Sequence, residues 1–197
     1  MVATFFIGDP HLYHPLVAEL RGFEDVTDHN VAIVRKWRKQ VNENDIVYVT
    51  GDCAGGGSAM EKMALELLAT LPGRKRLIAG NHDSVAGQHT SPSPNRELFH
   101  SVFEKISDHG RVSLNGKRIL LSHYPYWESG DGPVRSPARY QQWRLPDLGD
   151  WLIHAHTHFT HPTSGSATGR EICTSWDAWG RLVDMGDISQ IIRKAEV

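Results

Sequence analysis

Histidine and aspartate recur in this chain in short runs, each placed just after an apolar stretch. The densest is WLIHAHTHFTH at 151–161, in which His154, His156 and His158 occupy alternate positions. In an extended segment, side chains at i and i+2 point to the same side, so these three imidazoles would face one point. Neutral imidazole is the commonest protein ligand for metal ions. Further donors of the right type stand elsewhere: Asp9 and His11 in GDPH, Asp52 in GD, Asn81, His82 and Asp83 in GNHD, and His123 in SHYP. Each run alone reads as an ordinary turn or cap, but together they make a donor set of oxygen and imidazole without thiolate. Such a set favours Mn²⁺, Fe²⁺, Ni²⁺ or Zn²⁺ over Mg²⁺ or Ca²⁺.

The elements that must carry these residues follow from apolar periodicity. Residues 3–8 (ATFFIG), 45–52 (DIVYVTGD) and 75–80 (KRLIAG) are short apolar runs that stop at Gly-containing turns, the pattern of buried strands. Between them, Asp28 is placed to cap a helix whose apolar residues are Val31, Val34, Trp37 and Val41. Ser58 and Glu61 have capping-box spacing ahead of a second helix, with Met60, Met63, Ala64, Leu67, Leu68 and Leu71 as its core face. Pro72-Gly73 ends it. Strand–helix–strand alternation predicts an α/β fold with parallel pairing in the first half. The second half opens with a hairpin signal at Asn115-Gly116. A long aperiodic loop of functional type follows at 128–150, then strands at 151–154, 171–174 and 181–184, and a last helix capped by Asp187 and carrying Ile188, Ile191 and Ile192. Every metal-competent run thus falls at the carboxyl end of a strand, where α/β sheets bind ligands.

Bulk properties narrow the class. A chain of 197 residues, 40% apolar and 22% charged, suits one soluble globular domain spanning 1–197. A formal charge of −2 offers no broad surface for nucleic acid or an anionic membrane. Cys53 and Cys173 are too few for a disulfide framework or a zinc ribbon, which suits a reducing compartment. The N-terminus has no signal-peptide pattern and no stretch is long enough to span a bilayer, so the expected location is the cytoplasm, the host's if the gene is a phage's.

In order along the chain the runs spell D-x-H, G-D, G-N-H-[DE], a lone His and G-H-x-H, and the sequence resembles the calcineurin-like metallophosphoesterases. The blocks are Asp9-Pro10-His11, Gly51-Asp52, Gly80-Asn81-His82-Asp83, His123 and Ala155-His156-Thr157-His158, with Ala155 standing where the family usually has Gly. The resemblance implies a four-layer αββα sandwich of two mixed sheets flanked by helices, with the site at their rim. It implies two divalent metal ions, Mn²⁺ first, held by Asp9, His11 and His158 on one side and by Asn81, His123 and His156 on the other, with Asp52 between them and a bridging hydroxide as nucleophile. His82 then faces the leaving-group oxygen as general acid, its ring oriented by Asp83 or another carboxylate. His154 matches no ligand position and reads as structural, and His29, His89, His100, His109 and His161 read as surface residues.

No part of the chain resembles the large added domains of nuclease or protein-phosphatase members. A small stand-alone member, of the phage and bacterial kind, points to a small phosphodiester or nucleotide substrate, with 2′,3′-cyclic nucleotides leading. His14, Tyr124 and Arg135 are the candidate substrate contacts, with Tyr126, Trp127, Arg139 and Arg144 nearby. A nuclease or phosphomonoesterase on the same metals is the alternative activity. A non-catalytic binding module on this fold is the alternative of another class, and the complete ligand set with His82 argues against it.

Overall fold

The computed structural model describes residues 2–131, 138–163 and 166–196. Strand β1 (Thr4–Ile7) leads through α1 (Pro15–Leu20) and α2 (Val26–Gln40) to β2 (Ile46–Val49), and α3 (Ser58–Ala69) leads on to β3 (Arg74–Ile78). Helix α4 (Arg96–Val102) and β4 (Lys105–Ser107) complete a parallel run, β4-β3-β2-β1. β5 (His109–Leu114) and β6 (Lys117–Ser122) form the hairpin expected at Asn115-Gly116; β7 (Trp151–His154) and β8 (Glu171–Cys173) pair parallel beside it. After the short α5 (Trp176–Trp179), β9 (Val183–Asp184) returns antiparallel to β1, and α6 (Met185–Ala195) closes the chain. The result is two mixed sheets with helices, of five and four strands, as the sequence implied.

Alternation along the first sheet divides the core in two. Phe5, Ile7, Val47, Val49 and Leu77 face Ile33 and Trp37 of α2, Ala64, Leu65 and Leu68 of α3, and Phe99 of α4. Phe6, Tyr48 and Ile78 face the other way, toward Ile119, Leu121, Ile153 and Ile172 of the second sheet, and Ile188 and Ile192 of α6 join that layer. Glu171, next to Ile172, accepts the Tyr126 N–H and a hydroxyl bond from Ser129, which draws the segment after His123 onto the outer side of β8.

Several helix details differ from the sequence reading. α2 begins a turn earlier, because the Asp25 carboxylate takes the N–H groups of Thr27 and Asp28 at 2.7 and 2.9 Å, leaving Asp28 as a first-turn acid. Its buried side is His29, Asn30, Ile33 and Trp37, while Val31 is exposed. Ser58 and Glu61 do not form a capping box. Glu61 is buried and spends its carboxylate on the Ser84 N–H and hydroxyl and the Asn95 amide, so α3 turns Leu65 inward and Met63 out. α6 is capped by Asp184, with Asp187 the reciprocal partner three residues in. Among the described residues no helix is long and apolar enough to cross a membrane.

Parallel register sets the site. β1, β2 and β3 end at Ile7, Val49 and Ile78, so Asp9, Asp52 and Asn81 emerge at one edge. The second sheet is joined to that edge by a parallel bridge between Gly8 and Ser175, with the Gly8 N–H donating to Thr174 O at 2.7 Å. β6 and β7 run level there too, since the Ala155 N–H donates to His123 O at 2.9 Å.

Candidate metal centre

Two clusters of donor atoms meet at this rim. Asp9, His11 and His158 form one and Asp52, His123 and His156 the other, with the donor atoms of each within 4.8 Å of one another. Asp52 Oδ2 stands between them, 3.7 Å from His11 Nε2 and 3.5 Å from His123 Nε2. Asn81 Oδ1 joins the second cluster, 3.2 Å from His123 Nε2. All seven residues expected to act as ligands are therefore brought together.

The far ring nitrogens show which way the imidazoles are set. His11 Nδ1 lies 3.1 Å from Ala54 O, His123 Nδ1 2.8 Å from Thr50 O, and His158 Nδ1 3.0 Å from Asp177 Oδ2. These oxygens only accept, so each Nδ1 carries a proton, and in the neutral ring each Nε2 presents a lone pair inward. Yet His11 Nε2 and His158 Nε2 are 3.2 Å apart, and His123 Nε2 faces the Asn81 carbonyl oxygen at the same distance. Acceptor faces acceptor in both clusters. Asp9 Oδ2 is also buried without a partner. A cation in each cluster satisfies all of these atoms at once, and histidines tied through their far nitrogen to carbonyl or carboxylate are the usual setting of metal ligands.

The backbone is bent to this purpose. Eight described non-glycine residues have positive φ, and Asp9, His11, Asp52, His156 and His158 are among them, at 43 to 69°. Left-handed backbone costs about 1 kcal/mol or more outside glycine and persists where the surrounding fold enforces it. The expectation that His154, His156 and His158 face one point along an extended segment is corrected here. The strand stops at His154, and the left-handed turns send His156 to the second cluster and His158 to the first. His154 is buried with Nδ1 against Ala155 O and joins neither. Gly51 and Gly80 are required by close approach: a Cβ would lie 2.2 Å from His123 Nδ1 or 2.3 Å from Asp52 Oδ1. Ala155 is accommodated by Gly8, whose missing Cβ would sit 2.5 Å from the Ala155 methyl.

Charge is concentrated and shielded. Burial pushes the Asp52 carboxyl up to about 7, against the His123 pull and with Asp9 and Asp83 adding to the rise. Burial acts on Asp9 in the same sense, but His158, His123 and His11 outweigh it and hold its carboxyl below the usual range. His82 is pushed down to about 4 by burial and by His123 and His14, so at neutral pH it is an uncharged imidazole with one N–H to give. Its backbone N–H donates to Asp52 Oδ1 at 2.9 Å and its Nε2 is 4.0 Å from Asp52 Oδ2. The expectation that Asp83 orients the His82 ring fails. The Asp83 carboxylate is consumed by the N–H groups of Asp52, Cys53 and Gly80, tying the two loops together.

A set of supporting residues around the clusters was not visible in the motifs. Asp177, at the start of α5, holds His158 and is itself gripped by Arg21, through Nε at 3.0 Å and Nη2 at 2.6 Å. Arg21 also donates to Asp9 O and meets His29 Nε2 at 2.9 Å, which makes His29 fully buried rather than a surface residue. Asp131, paired with Arg144, lies 3.5 Å from His156 Nε2. Asp177 follows a strand end, so the rule that located the other donors reaches it as well. Asp131 sits in an aperiodic loop with no such signal. Burial lowers the His158 pKa, but Asp9 and Asp177 outweigh it and raise it. Asp177→Asn is expected to weaken cation binding at the first cluster by roughly 10–100-fold and leave the second unchanged. A Mn²⁺ titration of the purified variant reads this out; wild-type affinity for both equivalents would refute it.

The substrate candidates separate. His14 lines a cleft of about 710 Å³ in front of the clusters, together with His82, Asn81 and Arg139. Tyr124 does not. It is buried behind them, its ring edge-on to His123 and His156 at 5.0 and 4.8 Å and its hydroxyl bonded to Gln88. Arg144 is committed to Asp131 and to the carbonyls of Gly130 and Arg139. Arg135 lies outside the described residues.

An α/β sandwich with paired aspartate–histidine clusters at its rim has the build of a metal-dependent phosphoester hydrolase. The profile of the calcineurin-like phosphoesterases matches residues 3–159, and the chain belongs to that metal-dependent family. It is similar to the gene 66 proteins of Mycobacterium phage L5, 36% identical over 98% of this chain and 95% of that protein, and of Mycobacterium phage D29, 35% identical over 100% and 98%. An uncharacterised protein of Methanocaldococcus jannaschii is 28% identical over 82% of this chain and 72% of its own length. A solved structure of a protein of unknown function from Aquifex aeolicus superposes with a TM-score of 0.72 at 25% identity, covering 97% of this chain and all of that one.

Proposed function

We propose that the protein is a phosphodiesterase working with two divalent metal ions, Mn²⁺ before Fe²⁺, Ni²⁺ or Zn²⁺, on small phosphodiesters, with cyclic nucleotides and the 2′,3′-cyclic ones in particular as leading substrates. The observation that carries it is the facing of acceptor on acceptor in two adjacent clusters, with one carboxylate oxygen within 3.7 Å of both. Two divalent ions bound there would supply charge neutralisation for the phosphate and a water of lowered pKa. The chain's own residues do the rest. Asp9, His11 and His158 would hold one ion and Asn81, His123 and His156 the other, with the Asp52 carboxylate within reach of both. His82, partly open to the cleft, gives its N–H to the departing ester oxygen. Arg139, on the same cleft, supplies a positive charge for the substrate phosphate. Two free buried cysteines suit a cytoplasmic place of action.

Metal removal tests this. Chelated protein is expected to be inactive, and Mn²⁺ to restore it better than Mg²⁺. The assay compares bis-p-nitrophenyl phosphate, p-nitrophenyl phosphate, cyclic nucleotides and single-stranded DNA and RNA. Full activity in excess chelator would sink the two-ion mechanism, and preference for the monoester or for polymers would reassign the substrate.

A further inference from the structure

Helix α1 carries apolar side chains where no core receives them. Only Ala18 is buried, whereas Leu16 and Leu20, one turn apart on one face, are 57% and 76% exposed. Single exposed leucines are common. These two, with Val17, border the same cleft as His82, Asn81 and the stacked rings of His11 and His158. Phe159, Thr157 and Thr160, from the segment that carries His158, border it as well, and Arg139 stands at its margin. At about 710 Å³ the cleft far exceeds a phosphate group and falls within the range of sites that enclose whole small ligands.

We infer that the α1 side of this cleft is a subsite for a nucleobase-like heteroaromatic group carried by the phosphoester. The inference rests on the phosphate lying at the two clusters, as proposed above. A flat base has apolar faces and a polar edge, and the cleft offers both halves of the match. Leu16, Val17, Leu20 and the Phe159 ring suit the faces, and the Thr157 and Thr160 hydroxyls suit the edge. An alkyl chain would leave the polar groups unused, and a bare sugar would leave the leucines in water.

Calorimetric titration of the Mn²⁺-loaded protein tests it, with adenosine 5′-monophosphate against ribose 5-phosphate, which lacks only the base, and octyl phosphate as the alkyl control. The base is expected to add roughly tenfold or more in affinity, the range of base–aromatic stacking. The double variant L16S/L20S, changed at two exposed positions, is expected to bring the nucleotide down to the affinity of ribose 5-phosphate, leaving ribose 5-phosphate and metal content unchanged. Equal binding of the two in the parent protein, binding of neither, equal weakening of both in the variant, or tighter binding of octyl phosphate would each overturn the subsite. Base preference without hydrolysis of any ester supports the subsite and sinks the phosphodiesterase reading. Hydrolysis of simple diesters without base preference does the reverse.

Discussion

Asp52→Asn is expected to lose metal from both clusters and all turnover, while His154→Ala keeps the full metal complement. Asp52 is buried, with Oδ1 taking the His82 N–H at 2.9 Å and Oδ2 within 3.7 Å of one imidazole from each cluster. An asparagine that keeps the first bond puts its NH₂ where Oδ2 was. Two N–H donors then meet the lone pairs of His11 and His123, satisfying without a cation the atoms that otherwise call for one. The variant should therefore fold. The loss of turnover should exceed the roughly 10²–10³-fold that follows removal of one electrostatic stabiliser, because both ions depend on this carboxylate. Metal analysis alongside a thermal melt checks it. Two retained ions in Asp52→Asn, or a lost ion in His154→Ala, would refute the assignment.

His82→Gln should retain two metals yet lose roughly 10²–10⁴-fold on a nucleotide ester. The imidazole is uncharged at neutral pH in the ligand-free site, since burial and neighbouring histidines hold its pKa near 4. The neutral ring keeps one N–H, which can hydrogen-bond to the departing ester oxygen as negative charge develops on it. Leaving groups differ in their need of it. p-Nitrophenolate departs without a proton, so the loss on p-nitrophenyl esters should be much smaller. Equal losses on both ester types would make His82 a phosphate binder, and a metal deficit would make it a structural prop for the loop it shares with Asn81.

The convergence of the donors was legible because each follows an apolar run that had to be a buried strand, and parallel strands deliver their carboxyl ends to one edge. Asp9, Asp52 and Asn81 needed no more than that. What escaped was decided by competition between local patterns and the packed whole. Ser58 and Glu61 have capping spacing, but Glu61 is turned inward to Ser84 and Asn95, whose N–H and hydroxyl donors take its carboxylate away from the helix end. His29 lies on a helix whose periodicity does not say which histidine turns inward, and Arg21, eight residues away, decides it. Tyr124 follows a ligand directly, but a neighbour in sequence can lie behind a site as easily as before it. Asp177 and Asp131 reach His158 and His156 through side-chain contacts that span 19 and 25 positions, a relation no short motif encodes.

The left-handed turns at Asp9, His11, Asp52, His156 and His158 bear on how the protein answers its surroundings. On the proposed reading, the folded chain holds these five residues ready for ions that the unfolded chain cannot gather. Stability is then a function of free metal by mass action, rising by about 4 kcal/mol when the ion is at a thousand times its dissociation constant. The melting temperature of the purified chain thus becomes a gauge of the metal activity around it, climbing with the logarithm of free Mn²⁺. In a cell that restricts such ions, the amount of folded protein and the amount of working centre would rise and fall together.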